Sequence, residues 1–457
     1  MKRSLVRVVF CLTICGVLML ALSTLVEAGQ PPPPDPITRT ISMSVNEEWE
    51  KGDDLNDVAL DFALVNDLGV DELRMSIGWD DYEPTNDNFD WTWLNSFCSL
   101  AATYGIKLRP YICYTPDWAG DGDWNSPPND FNEWYEFCYE LAEEMELHSN
   151  VVSFEIWNEW DNELWWSGTF AQYKTLLLNA HDAISAVYAT DPDMILGGLS
   201  YPNCVAINAL TPGTSEQYYE IVPFHAYAER DPRRDHVEKY FDDYEWGEFV
   251  SIVNNNGEGE PIWINEDGYS TLDRTEAMQR SYFVRAIAHF FASDDSLGEI
   301  DHYCAYEIKD LDPNAPVIGP EDVRYLGLCE YDRTKKLAFN AVKMMVSLLD
   351  DETITTPENH EVTLEATSGH FGDEYWRLIK RDEGGGDVSQ VLVVYDKKNT
   401  VTCEATLTTA GDPNDCTLWN LDGTSTDWSS NFDGTTISNI QLDGREVVRV
   451  FEIGPAP

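Results

Sequence analysis

VVSFEIW (151–157) running straight into Asn158-Glu159, and PIWI (261–264) running into Asn265-Glu266, decide the reading of this chain. Each is a short apolar run that stops abruptly on an amide and a carboxylate. Runs of this length, bounded by polar residues and enriched in β-branched and aromatic side chains, read as buried strands. Six more lie around them: ISMSV (41–45), ELRMSI (72–77), IKLRPYI (106–112), MILGGL (194–199), EIVPFHA (220–226) and EIDHYCAY (299–306). Between the runs, apolar residues recur at helical spacing. The clearest stripe is Phe131, Trp134, Cys138, Leu141 and Met145, with Asp130 ahead of it as an N-cap and Glu133 three residues further on. Residues 58–68, 93–104, 171–188, 278–291 and 337–349 give comparable helices, and DPRRDHVEKYFDDYEW (231–246) is assigned to the sixth. Eight strands alternating with helices over residues 41–350 fit an α/β fold of the (β/α)8 TIM-barrel type. A doubly wound open sheet is the competitor, but no Gly-rich phosphate turn follows the first run.

From residue 351 to 457 the pattern changes to period two, with Thr- and Val-rich runs such as VSQVLVVYD (388–396) and EVVRVFEI (446–453). This predicts a smaller antiparallel β-sandwich of about seven to nine strands. EGGGD (383–387) reads as a hairpin tip. At the other end, Lys2, Arg3 and Arg7 precede an apolar run from Val8, and Val26-Glu27-Ala28 supplies a cleavage site, so residues 1–28 read as a signal peptide. The run is also long enough for an uncleaved anchor. Residues 29–40 hold a Pro-rich linker, GQPPPPD, leading into an N-terminal strand. The expected location is therefore secreted, extracellular or periplasmic.

With 82 acidic against 29 basic residues, a net charge of −53, the surface repels nucleic acid and anionic lipid. Neither is expected as a partner, nor is a membrane once the leader is removed. Such a surface suits a salty medium that screens its self-repulsion. Two of the ten cysteines, Cys11 and Cys15, leave with the leader. Cys403 and Cys416, flanking the turn-rich TLTTAGDPND, are the best disulfide candidates; several of the others lie in strand or helix patterns and read as buried thiols. No CxxC, Cys/His cluster or Asp-rich loop points to a metal, and no cofactor is expected.

In a TIM barrel the reactive groups come from the C-terminal ends of strands, which is where Glu159 and Glu266 fall, three strands apart. Glycoside hydrolysis needs two carboxyls, one to protonate the leaving oxygen and one to attack the anomeric carbon or activate water. Among 82 acidic residues an ordinary surface Glu is the default, but two that each close an apolar strand beside aromatics are not ordinary.

The motifs in order strengthen this. FEIWNEWDNELWWSGTFAQYKTL (154–176), with DPDMILGGLS (191–200), resembles clan A glycoside hydrolases, and within them family 39-like sequences; WINEDGYS (263–270) is similar to their nucleophile motif and to that of family 5. FHAY places His225 and Tyr227 on the clan's His-x-Tyr, LRMSIGWDDYEPTNDNFDW (73–91) supplies Arg74 and the Glu-Pro turn, and YTPDWA (114–119) a Thr-Pro-x-Trp loop. The resemblance spans about residues 41 to 349 in consistent order. It departs at strand eight, where many members have a Trp and this chain has HYCAYEIKD, putting Tyr306 or Glu307 there. The resemblance implies a retaining O-glycosidase acting on poly- or oligosaccharide, with Glu159 as acid/base, protonated at rest, and Glu266 as ionised nucleophile. Tyr227 and Arg74 would bond Glu266, Asn158 would donate to the sugar 2-hydroxyl, and His225 would orient Glu159 or touch sugar. Structural readings remain for Arg74, as a barrel ion pair, and for His225, as a core histidine.

Trp79, Trp118, Trp165 and Trp166 are candidate sugar platforms, with Trp118 and Trp165 favoured by their place on loops. The competing hypotheses are a non-catalytic carbohydrate-binding barrel and a transglycosylase. The sandwich is expected mainly to stabilise the barrel, since Trp376, Trp419 and Trp428 form no binding row in sequence.

Overall fold

The computed structural model describes residues 38–190, 192–210, 218–228, 237–239, 246–256, 260–272, 274–292, 300–355 and 361–456; the leader and most of the linker lie outside them. All eight expected barrel strands form: Ser42–Asn46, Glu72–Gly78, Lys107–Cys113, Ser153–Asn158, Asp193–Gly198, Val222–His225, Ile262–Asp267 and Ile300–Ala305. They are numbered one to eight below. They pair in the order five, four, three, two, one, eight, seven, six. Parallel bridges Ile195–Ile221 and Leu199–Phe224 close the ring between five and six.

Alternation along each strand separates two environments. In strand two Leu73, Met75 and Ile77 join the apolar shell. Arg74, between the first two, points inward to strand four, and Glu72 pairs with Arg109 of the neighbouring strand three. The axis is filled in polar layers rather than left hollow. Low in the barrel, Arg109 grips Glu72 at 2.7 and 2.9 Å and lies over the Trp263 ring. Trp263 stacks on His302, whose nitrogens meet Ser42 and Ser44 at 2.7 and 2.8 Å. Burial, then Arg109, holds the His302 pKa well below its usual value, so it sits there neutral. Pairing these groups with one another removes the penalty of burying them.

The helices follow their capping signals. Asp130 caps Phe131–Met145 by accepting from Asn132 N, and Thr169 and Gln172 form a reciprocal capping box at the start of Phe170–Val187. The segment assigned to the sixth helix, 231–246, lies mostly outside the described residues; those described hold a short 3-10 turn, Val237–Lys239, and a helix runs Trp246–Asn256. Trp246, Phe249, Val250 and Val253 supply its buried stripe.

The C-terminal strands form two sheets. Seven strands lie in the order Thr38–Thr40, Thr353–Thr355, Glu374–Gly384, Asp387–Asp396, Val448–Pro455, Gly411–Trp419, Ser425–Asp427. Val362–Ser368, Thr400–Leu407 and Thr436–Asp443 make the second. The first strand comes from the N-terminal side of the barrel, so the sandwich is completed by residues that precede it by some 300 positions. Glu374–Gly384 and Asp387–Asp396 form the expected hairpin, with Gly385 and Gly386 at φ 71° and 98°, values a two-residue primed turn requires. Along Asp387–Asp396, Leu392 and Val394 enter the sandwich core, whereas Val391, Val393 and Tyr395 join the barrel's apolar cluster. A sheet buried on both faces explains the unbroken apolar run VLVVY.

The expected Cys403–Cys416 bridge is absent: both are buried free thiols. The short stretch between them carries the chain from the three-stranded sheet to the seven-stranded one, so nearness in sequence does not make them hairpin partners. Burial pushes the Cys403 thiol up to about 11 and that of Cys416 to about 12. Protein lacking residues 1–28 should therefore react with a thiol reagent at pH 8 mainly at Cys204, the one half-buried cysteine of the eight, and at all eight in guanidinium. A count of six after denaturation without reductant would reveal a disulfide.

The barrel and the sandwich also share a buried ion cluster. Glu238 accepts from Arg285 at 2.9 and 2.5 Å and from the Tyr395 hydroxyl at 2.7 Å, with Lys397 at 3.2 Å. Burial would raise the Glu238 carboxyl, but Arg285 and then Lys397 outweigh it and hold it well below the usual carboxylate range. A lowered folded-state pKa contributes stability above the unfolded value near 4.5 and loses it as pH falls through the folded value. Glu238→Ala should cost about 3–5 kcal/mol, because it strands Arg285 and Lys397 without their anion. Denaturant unfolding of both proteins from pH 3 to 7 checks this, with the difference shrinking at the acid end.

Candidate active site

Strands four and seven place their carboxylates over the same point. At the end of strand four the backbone turns over: Trp157 and Glu159 both adopt left-handed φ, 75° and 40°. Such conformations are costly for non-glycine residues and persist where the surroundings fix them. Trp157 is held by complete burial and a 2.9 Å bond from Nε1 to the Trp165 carbonyl. Glu159 is held through both carboxylate oxygens: Oε1 lies 2.8 Å from His225 Nδ1, and Oε2 accepts from Asn162 Nδ2 at 2.7 Å.

Glu266 is buried more deeply, at 9% side-chain exposure against 13% for Glu159. Its Oε1 accepts from Arg74 Nη1 at 2.6 Å and its Oε2 from the Tyr227 hydroxyl at 2.8 Å. His225 Nδ1 is also 3.3 Å from Oε2, so one imidazole nitrogen touches both glutamates. An oxygen of Glu159 and an oxygen of Glu266 lie within 4.8 Å of one another.

Arg74 organises the layer beneath. Its Nε and Nη2 clasp Glu155 bidentately at 2.7 and 2.9 Å, Nη2 also reaches Asn158 Oδ1 at 3.1 Å, and Nη1 reaches Asn46 Oδ1 at 2.9 Å. Burial alone would pull its pKa down; Glu155 and then Glu266 hold it well above the ordinary arginine value. The fork geometry of guanidinium is what lets one side chain serve strands one, four and seven together. Burial would likewise lower His225, but Glu266 and then Glu159 raise its pKa above the usual histidine value. Gly198 ends strand five beside this ring, and a Cβ there would collide with His225 Nε2.

Six of the sequence-predicted residues thus form one network: Glu159, Glu266, Arg74, Asn158, His225 and Tyr227. Tyr306 joins them, its ring 6.2 Å from that of Tyr227. Glu307 does not: it is fully buried beside Glu47 and Lys309, where burial and the neighbouring carboxylates push its pKa well above the usual range. Both residues lie just past the end of strand eight, and Tyr306 takes the side facing the site. Trp165 stacks on Tyr114 at 6.1 Å with Trp124 edge-on to both, a half-buried aromatic wall beside Glu159. Trp118 is half-buried on Trp79 and donates to the Glu83 carbonyl, apart from that wall. Trp79 and Trp166 are core residues, 0% and 2% exposed, not platforms.

Sequence reading missed Glu155, Asn46, Tyr111 and Asn162. Glu155 carried a signal, being a charge at inward parity between Phe154 and Ile156 in a strand buried throughout. Glu159, His225 and Glu266 could each offer one atom to a metal ion. A cation there would face the Arg74 guanidinium already bonded to Glu266, so the donor set suits a neutral group better.

A closed parallel barrel with two strand-end glutamates meeting at its mouth defines the architecture of clan A glycoside hydrolases. Residues 35–294, more than half of the chain, match the model of the cellulase family (glycosyl hydrolase family 5), and the chain belongs to that family. No curated protein matches it. Among solved structures it is similar to a family 39 glycoside hydrolase from Bacteroides cellulosilyticus WH2, with a TM-score of 0.66 at 16% identity, covering 91% of this chain and 81% of that one. A monomeric β-xylosidase from Caulobacter crescentus CB15 gives 0.61 at 14% identity, covering 92% and 97%. A family 30 subfamily 8 xylanase from Clostridium acetobutylicum gives 0.60 at 14% identity, covering 93% and 98%. At these identities the likeness establishes a shared fold.

Proposed function

We propose that this glycosidase is exported and cleaves O-glycosidic bonds of poly- or oligosaccharides with retention, Glu266 acting as nucleophile and Glu159 as acid/base. The observation that carries this reading is the carboxylate spacing, within 4.8 Å between nearest offered oxygens. Retaining enzymes hold the pair about 5–5.5 Å apart, whereas inverting ones need about 6.5–9.5 Å to admit a water.

Chemically, Glu266 attacks the anomeric carbon while Glu159 gives its proton to the departing oxygen. Water, deprotonated by Glu159, then releases the sugar from Glu266. Arg74 and Tyr227 fix the Glu266 oxygens, and the bonds they donate weaken as the carboxylate loses its charge on becoming an ester. With Asn158 Oδ1 on Arg74, its amide nitrogen is left to donate to the 2-hydroxyl, a bond that strengthens in the oxocarbenium-like transition state. Export rests on the basic and apolar leader and on the acidic surface. Among the described residues no helix is long and apolar enough to cross a membrane.

The experiment is a panel of aryl glycosides and polysaccharides, followed by proton NMR of the first product formed. The expected product keeps the anomeric configuration of the substrate. An inverted product would rule out the double displacement.

A further inference from the structure

A third carboxylate stands at the barrel mouth, and the double displacement does not use it. Glu47 and Glu48 follow strand one and diverge. Glu47 is buried against Lys309 at 2.6 Å, which also binds Asp61 of the first helix, Leu55–Leu68. Glu48 stays half-buried, on the barrel side. Its Oε1 accepts from the Tyr111 hydroxyl at 2.7 Å and from Asn46 Nδ2 at 3.0 Å. Asn46 in turn accepts from Arg74, which lies 4.2 Å above the Tyr111 ring. A continuous chain of hydrogen bonds therefore runs from Glu266 through Arg74 and Asn46 to Glu48 and Tyr111. Glu48 ends it at the tops of strands one and three, beyond Asn46 and Tyr111.

The environment of Glu48 is that of an acceptor. Burial is the largest influence on the Glu48 carboxyl and leaves its pKa raised, opposed by hydrogen bonds from Asn46, Ser76 and Tyr111 and then by Arg74, which is already bonded to Glu155 and Glu266. Its charge also reaches the half-buried Tyr114 and Tyr306, whose ionisation it opposes. A half-buried carboxylate held by hydroxyl and amide donors instead of an ion pair, and joined to the nucleophile through Asn46 and Arg74, is suited to take further hydroxyls.

We propose that Glu48 binds the glycone, accepting hydrogen bonds from one or two hydroxyls of the sugar whose anomeric carbon lies between Glu159 and Glu266. The assignment rests on the glycosidase reading above and makes Glu48 a determinant of which sugar is accepted. A site built to bond a hydroxyl discriminates strongly against an analogue lacking it, because the buried acceptor is then left unpaired.

The test is a cycle between side chain and sugar. Wild type, Glu48→Gln and Glu48→Ala are assayed on the aryl glycoside that the wild type cleaves fastest and on its monodeoxy analogues. Glu48→Ala should lower kcat/KM on the parent about 10²–10³-fold. On the analogue missing the contacted hydroxyl, wild type and Glu48→Ala should be nearly equal. Glu48→Gln keeps the volume and one acceptor, so it should fall between, and it preserves the test if the alanine variant misfolds. An equal loss on every analogue would show that Glu48 merely supports Asn46 and Tyr111, and would overturn the proposal, as would full activity of Glu48→Ala on the parent. Absence of cleavage of any glycoside by the wild type is a separate outcome that removes the glycosidase reading itself.

Discussion

Glu266→Ala should lose about 10⁵-fold in kcat, equivalent to about 7 kcal/mol of transition-state stabilisation. The variant removes the attacking oxygen while Arg74 stays held on the other side by Glu155 at 2.7 and 2.9 Å, so the network should survive as a fold. The space vacated lies beside the Tyr227 hydroxyl and Arg74 Nη1, both donors that would welcome a small anion. Azide should therefore restore turnover of an activated aryl glycoside and yield a glycosyl azide of inverted configuration, one displacement in place of two. Steady-state rates with and without azide, and the configuration of the product, check both parts. Activity within tenfold of wild type would remove the nucleophile assignment.

The second large effect should depend on the leaving group. In the proposed mechanism Glu159 serves two steps, donating a proton to the departing oxygen and later taking one from water. A dinitrophenolate departs without protonation, whereas a sugar hydroxyl cannot. Glu159→Ala should thus leave kcat/KM on a dinitrophenyl glycoside within about tenfold of wild type, yet lower it about 10³–10⁴-fold on an oligosaccharide. On the dinitrophenyl substrate kcat should still fall, since the glycosyl-enzyme then accumulates. His225 and Asn162, which hold the two Glu159 oxygens at 2.8 and 2.7 Å, should show the same leaving-group dependence in weaker form. Equal losses on both substrates would point to a structural role for Glu159.

The barrel was legible because each of its strands is a short apolar run that ends where the chain turns polar, and the strand ends carried Glu159 and Glu266 with them. What lay between the runs was harder to read. The helix Trp246–Asn256 was not picked out because its buried stripe, Trp246, Phe249, Val250 and Val253, begins only at the last residue of the acidic segment that was read as the helix. One pair of neighbours defeated the sequence in a specific way: Tyr306 and Glu307 are adjacent residues of which one faces the site and the other the interior behind it. Which is which depends on how the chain leaves strand eight, which only coordinates fix. Glu155 looked like one more acid in a strand, and its value as the partner of Arg74 appears only when the barrel turns strands two and four, with strand three between them, toward one axis. Cys403 and Cys416 looked like a loop closure because a change of sheet leaves no mark in composition.

The claim on which the rest depends is that Glu266 becomes covalently bonded to the sugar. Incubation with the 2-deoxy-2-fluoro analogue of whichever activated glycoside is cleaved, followed by peptic digestion and mass spectrometry, tests it directly. The account predicts one equivalent of fluorosugar on the peptide containing Glu266, absent from Glu266→Ala. Label on a different carboxylate, or prompt hydrolysis to an inverted product with no label on any peptide, would contradict it.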